Sequence, residues 1–200
     1  MFTKNGNILK INGDWIKPSV SPEPPGPSFD SVTIGTQTWM TKNLNIDDGQ
    51  GGVYIVENVE ANGLNMGEQY YYNIDAAIRI ANSIPGWHLP SKEEFQTLAS
   101  YVGTNYASKL KSTSGWDNNR NGTDDYGFNG EPTGIMEINE LKYNGIGFTC
   151  WSSTRERIDP DMYVYGYYTF NLHNDYNDII ISANIAYDQT PSSVRLIKDT

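Results

Sequence analysis

Cysteine is close to absent from this chain: Cys150 is the only one in 200 residues. A single cysteine closes no internal disulfide and builds no thiolate cage for a metal. Histidine is nearly as scarce. His88 and His173 stand far apart, with no His, Cys or Asp cluster at ligand spacing. Charged residues make up only 19% of the chain, yet the net charge is −10. A surface of that sign repels phosphate backbones and anionic headgroups, so no nucleic-acid partner and no membrane docking are expected. No stretch approaches the roughly 18 apolar residues of a spanning helix, so no membrane insertion is expected either. The opening MFTKNGNILKINGDW lacks the apolar centre of a secretory signal, and the expectation is synthesis in a cytoplasm without a Sec route out. Catalytic signatures are missing too: there is no GxSxG, no phosphate loop and no HExxH.

Aromatic residues are plentiful. The chain is 38% hydrophobic and 12% aromatic, with 14 Tyr and 5 Trp, which is enough for a packed core. Residues 1–17 alternate weakly around NGN and NGD turn signals and read as a small β appendage. Residues 18–30 hold five of the ten prolines and read as an extended linker. Residues 31–200 form the main domain. SVTIGTQTWM reads as strand, Gly turn, strand, and VYIV (53–56) as another strand. Ala77, Ile78, Ala81 and Ile84 have helical spacing, closed by Pro85-Gly86. Ser91-x-x-Glu94 is a capping box opening a second helix, with Phe95, Leu98, Ala99 and Val102 as its buried stripe and Gly103 at its end. A short helix fits 105–112. Short strands alternating with turns are expected after Pro132. Helices early and strands late make an α+β class.

Three features carry candidate chemistry. Asp117, Asn119 and Asn121, followed by Gly122, have the opening spacing of a calcium loop. The closing bidentate acid is missing, since Phe128 stands at its place, and a hydrogen-bonded surface loop accounts for the same residues. His88, between Trp87 and Leu89 before a helix cap, reads as packed and hydrogen-bonded, and Cys150 in GFTCW as a buried, inert thiol. The third feature is residues 163–188, with six Tyr, four Asn, three Asp, one His and four Ile. Tyr supplies large amphipathic area at low entropic cost and Asn supplies adaptable hydrogen bonds, as in binding loops. Plain strands would also favour Tyr and Ile.

Five phrases in fixed order, VTIGTQTWMTKNLN, GWHLPSKEEFQTL, KLKSTSGWDNNRNGTDDYGFN, CWSST and SVRLIKD, resemble the Fibrobacter succinogenes major paralogous domain over residues 31–199. That family is similar to the C-type-lectin-like fold of the formylglycine-generating-enzyme type. The resemblance implies an α+β domain with two helices, a small twisted and mostly antiparallel sheet, and long loops carrying a ligand face. Trp87 and His88 then belong to the second-helix entry. CWSST and SVRLIKD bracket the variable face, and Arg195 makes a structural ion pair or hydrogen bonds. Formylglycine generation needs a reactive cysteine pair, so with Cys150 alone no such activity and no other enzymatic role is expected.

Variable proteins of diversity-generating retroelements share this fold, and adenine mutation of their Asn codons yields chiefly Asn, Tyr, Asp, His, Ser, Thr, Ile and Gly. Those eight types fill 21 of the 26 positions in 163–188. The resemblance implies a non-enzymatic receptor-binding protein of a phage tail, or a retroelement-diversified one, at a virion or cell surface. Its ligand would be a host-surface glycan or protein. Tyr163, Tyr165, Tyr167, Tyr168, Asn171, His173, Asn174, Tyr176 and Asn177 are the expected contacts, with Trp151 flanking. No cofactor is expected beyond calcium at Asp117, Asn119 and Asn121, and a homotrimer follows by analogy with tail proteins. The alternative is a bacterial cell-surface structural or adhesion module of the same family.

Overall fold

A computed structural model describes residues 8–11, 14–16, 27–159, 161, 164–176, 179–184 and 190–200. Ile8–Ile11 (β1) and Asp14–Ile16 (β2) pair antiparallel. Residues 18–26 of the expected linker lie outside the described residues. Phe29, at its end, packs edge-on against Trp87 with ring centroids 5.6 Å apart.

In chain order the main domain runs Ser31–Ile34 (β3), Gln37–Met40 (β4), Val53–Val56 (β5), Glu60–Ala61 (β6), Leu64–Asn65 (β7), Gln69–Tyr72 (β8), Ile74–Asn82 (α1), Trp87–His88 (β9), Lys92–Val102 (α2) and Tyr106–Leu110 (α3). There follow Ile135–Glu137 (β10), Glu140–Lys142 (β11), Gly147–Asp159 (β12), Val164–His173 (β13), Ile180–Asn184 (β14) and Ile197–Lys198 (β15). The class is α+β. The strands divide among several small sheets, each pairing antiparallel between its strands, in place of one sheet. Frequent Gly and Asn turns end most strands before a wide ladder can grow. The largest sheets are β3-β4-β15-β9 and β12-β13-β14. No described helix is long and apolar enough to cross a membrane.

The helices begin where their caps dictate. Asn73 accepts from the Ala76 backbone N–H at the start of α1. Ser91 and Glu94 form the complete capping box of α2, and Gly103 closes that helix with φ 72°. Phe95, Leu98 and Val102 are buried, while Ala99 is half-buried.

The later strands are not all short. β12 spans 13 residues and β13 spans 10, in one antiparallel ribbon. A bulge lets it continue: Trp151 pairs with Thr169 and Arg155 with Tyr167, so Ser152, Ser153 and Thr154 stand opposite Tyr168 alone and β12 carries two extra residues. The bulge docks on the start of α2, where Pro90 O accepts from the Ser153 N–H at 2.7 Å and Thr154 Oγ1 accepts from the Lys92 N–H at 2.9 Å.

Two clusters make the core. One packs Trp39, Phe95, Trp116, Phe128, Phe148 and Phe170 between α2 and the β12-β13 ribbon. The other packs α1 against Tyr72, Trp151, Val194 and Leu196. Arg195, wholly buried, puts its guanidinium 4.9 Å from the Phe128 ring centroid and 5.3 Å from that of Phe148. It donates to Met40 O, Phe128 O, Asn129 O and twice to Asn43 Oδ1. Of the two roles expected for Arg195 the structure takes the second: these are hydrogen bonds, and among the described residues no carboxylate lies within ion-pair distance of it. Burial pushes its pKa down to about 10, so the group stays charged at neutral pH.

Candidate functional site

Alternation along β13 sorts the candidate residues, because successive side chains leave opposite faces of a strand. Phe170 and Leu172 enter the aromatic core. Thr169, Asn171 and His173 face the other way and line a cavity of about 470 Å³. Thr149 and Trp151 of β12 and Ile180 and Ser182 of β14 complete its floor, in the register Trp151–Thr169–Ser182 and Thr149–Asn171–Ile180. The β10-β11 hairpin walls it with Ile135, Glu137 and Tyr143, and Thr190 and Ser192 close the remaining side.

Several floor groups are already bonded within the protein. Trp151 is 1% exposed and its Nε1–H donates to Tyr72 O at 2.7 Å. Asn171 Oδ1 accepts from Thr149 Oγ1 at 2.9 Å, and its Nδ2 donates to Thr169 Oγ1 at 3.0 Å and Ile180 O at 3.1 Å. Ser192 Oγ donates to Thr190 O. His173 Nδ1 accepts from the Asp175 N–H at 3.1 Å, which leaves Nε2 as the ring nitrogen free to meet a ligand. Its ring lies 5.1 Å from that of Tyr176, which is exposed.

Trp151, Asn171 and His173 therefore gather in one cavity, with Tyr176 beside it. Tyr165 and Tyr167 share the face farther along the ribbon, outside the cavity. Tyr165 stacks under the Arg155 guanidinium at 4.1 Å, and Tyr167 packs partly against the α1 cluster. Tyr168 lies on the opposite face: Lys92 Nζ donates to its hydroxyl at 2.7 Å, and that hydroxyl donates to Glu156. Asn174 is buried, with its N–H on Ile146 O at 2.9 Å. Tyr163 and Asn177 lie outside the described residues.

Asp117 and Asn119 fall in a single 3-10 turn, and Asn121 Oδ1 accepts from the Trp116 N–H at 3.0 Å, an Asx-type loop bond. Among the described residues no three His, Cys, Asp or Glu side chains gather as a metal site. Cys150 is fully buried, and desolvation pushes its thiol up to about 12, which suppresses the thiolate. His88 bridges Asp199 Oδ1 at 2.6 Å and Glu94 Oε1 at 2.8 Å, away from the cavity.

The residues missed in the sequence are Thr149, Thr169, Ile180 and Ser182, which neighbour the expected residues on the floor, and the wall residues Ile135, Glu137, Tyr143, Thr190 and Ser192. The wall residues arrive from segments distant in the chain, and no local pattern marks them. The cavity wall needs the Cys150–Ser193 and Gly134–Phe148 bridges, which lay SVRLIKD and the hairpin base against β12.

These strands and bridges lie inside a region matched by a family model, the Fibrobacter succinogenes major domain, over residues 32–198. The chain belongs to that family. The matched span includes both core clusters and the whole cavity lining, so the site is part of the family domain and not an appendage to it. No curated protein and no solved structure matches the chain significantly.

Proposed function

We propose that this domain is a non-enzymatic ligand-binding module of C-type-lectin-like architecture, acting in receptor recognition at a virion or cell surface. The observation that carries the reading is the cavity of about 470 Å³ on the outward face of the Tyr/Asn-rich segment, a size suited to small ligands or to a portion of a larger one. The rim is aromatic and the net charge acidic, which favours neutral or basic ligands over phosphorylated ones. The absence of an accessible nucleophile at Cys150 supports the non-enzymatic part of the reading.

Retroelement diversification extends the same reading. Phe170 and Leu172 fall outside the eight residue types that mutated Asn codons give, and both point into the core. Asn171 and His173 are of those types and point into the cavity. Diversity confined to the outward positions would vary the ligand surface and spare the fold. A trimer on a phage tail is the assembly this predicts, readable by sedimentation.

The test is binding of labelled protein to a panel of bacterial cells and purified surface glycans and proteins, run beside Ser182→Trp. Ser182 points into the cavity, so an indole there fills the space without entering the core. Selective binding lost in a variant that melts like the parent supports the reading. Binding unchanged by a filled cavity refutes the cavity as the site.

A further inference from the structure

Ten described residues other than glycine have positive φ, and eight of them are Asn or Asp, which tolerate that conformation best. The two exceptions are Ile138 at φ 48° and Tyr143 at φ 61°. A β-branched side chain is especially unfavourable there, and Ile138-Asn139 occupies a tight hairpin turn where Asn-Gly would be the relaxed choice. Packing does not account for Ile138, which is 97% exposed; Tyr143, 51% exposed, has its carbonyl held in a local turn by the Ile146 and Gly147 N–H groups. Backbone strain combined with exposed apolar surface points to contact with something outside the chain.

Ile138 lies in the turn of the β10-β11 hairpin and Tyr143 directly follows β11, and the hairpin stands between two cavities. Tyr143 borders the cavity described above, Ile138 borders a second of about 410 Å³, and Glu137 and Thr190 line both. No described cation pairs with Glu137, whereas the neighbouring Glu140 is held by Lys142. The hairpin and the residue after it thus offer an aliphatic side chain, an aromatic one and a carboxylate without a salt-bridge partner among the described residues, beside the two cavities.

Resting on the ligand-binding reading, we propose that this hairpin is the principal contact element of the site. Its ligand is an extended peptide segment carrying apolar side chains beside a lysine or arginine. The apolar side chains enter the two cavities, gripped by Ile138 and Tyr143, and the basic group meets Glu137. A polyhydroxyl ligand fits less well. The Ile138 side chain makes no hydrogen bonds, and the Asn171 amide and the Trp151 N–H of the floor already have partners, which leaves His173 Nε2 as the one free ring nitrogen there among the described residues.

The full chain is panned against a random-peptide display library, with a neutral-glycan array in parallel. Enriched peptides are then titrated against the parent, Ile138→Asn and Ser182→Trp. Enrichment of peptides with Lys or Arg beside apolar residues is expected. Ile138→Asn should bind them at least about tenfold more weakly while unfolding at the same or a higher temperature, because Asn relieves the strain. Unchanged peptide binding by Ile138→Asn overturns the proposal, as does a lowered melting temperature, which assigns Ile138 a structural role. Peptides lost with Ser182→Trp but not with Ile138→Asn sink the hairpin and keep the cavity. Peptides lost with Ile138→Asn but not with Ser182→Trp do the reverse. Glycan binding alone overturns the peptide class, and no binding of either kind overturns both readings.

Discussion

Arg195 offers the sharpest test of how the core is organised. Its guanidinium, itself wholly buried, satisfies three backbone carbonyls and the amide oxygen of Asn43, with Asn43 and Asn129 half-buried. Arg195→Met keeps the stem and removes every donor. Each buried acceptor left unsatisfied costs about 1–3 kcal/mol, so four of them set a ceiling near about 12 kcal/mol. Relief of the buried charge works the other way by several kcal/mol, since no described carboxylate touches it and Glu131 and Asp124 act on it only from a distance. A net loss of about 3–5 kcal/mol follows, a large share of the 5–15 kcal/mol typical of a domain. Arg195→Lys keeps the charge but replaces a five-donor fork by a compact ammonium, so it should lose at least about 2 kcal/mol. Equilibrium urea unfolding reads both values. If Arg195→Met loses under about 1 kcal/mol, the carbonyls of Met40, Phe128 and Asn129 do not depend on this side chain, and the account of the core fails.

Other outcomes follow from local geometry. Burial opposes protonation of His88, but its hydrogen bonds to Glu94 and Asp199 outweigh that and raise its pKa above the ordinary 6.5. That stabilisation is full below pH 6.5 and is lost as pH rises through the higher folded-state value, so the melting temperature should fall across that window and His88→Gln should flatten the profile. Ser91→Ala breaks the capping box of α2 and should lower stability by about 1 kcal/mol in thermal melts, with a change under about 0.3 kcal/mol counting against the cap. The Cys150 thiol should react with an aromatic disulfide reagent only as fast as the protein opens, and rapid labelling of native protein would contradict its burial.

Much of the fold is legible in the residues alone. The capping box Ser91–Glu94, the periodicity of Phe95, Leu98 and Val102, and the Gly turn between β3 and β4 are local signals, and each lies within a few residues of the structure it specifies. Family membership is equally local, since it rests on phrases such as GWHLP and CWSST. The Tyr/Asn composition of residues 163–188 marks a region, and alternation predicts that only some of its side chains share a face. Which phase that alternation takes is decided by tertiary structure. Phe170 stacks on Phe95 at 4.6 Å, which fixes the core side of β13 and so sends Asn171 and His173 outward and Tyr168 inward. The length of the β12-β13 ribbon is also a tertiary outcome, because its bulge is held by contacts to Pro90 and Lys92 more than 60 residues earlier. The cavity wall is the furthest from sequence: Glu137, Tyr143, Thr190 and Ser192 meet only when parallel bridges bring two distant segments against β12. A chain's own periodicity specifies what each segment becomes, but a concave site needs surfaces from several segments, and their meeting is set by core packing that no single stretch encodes.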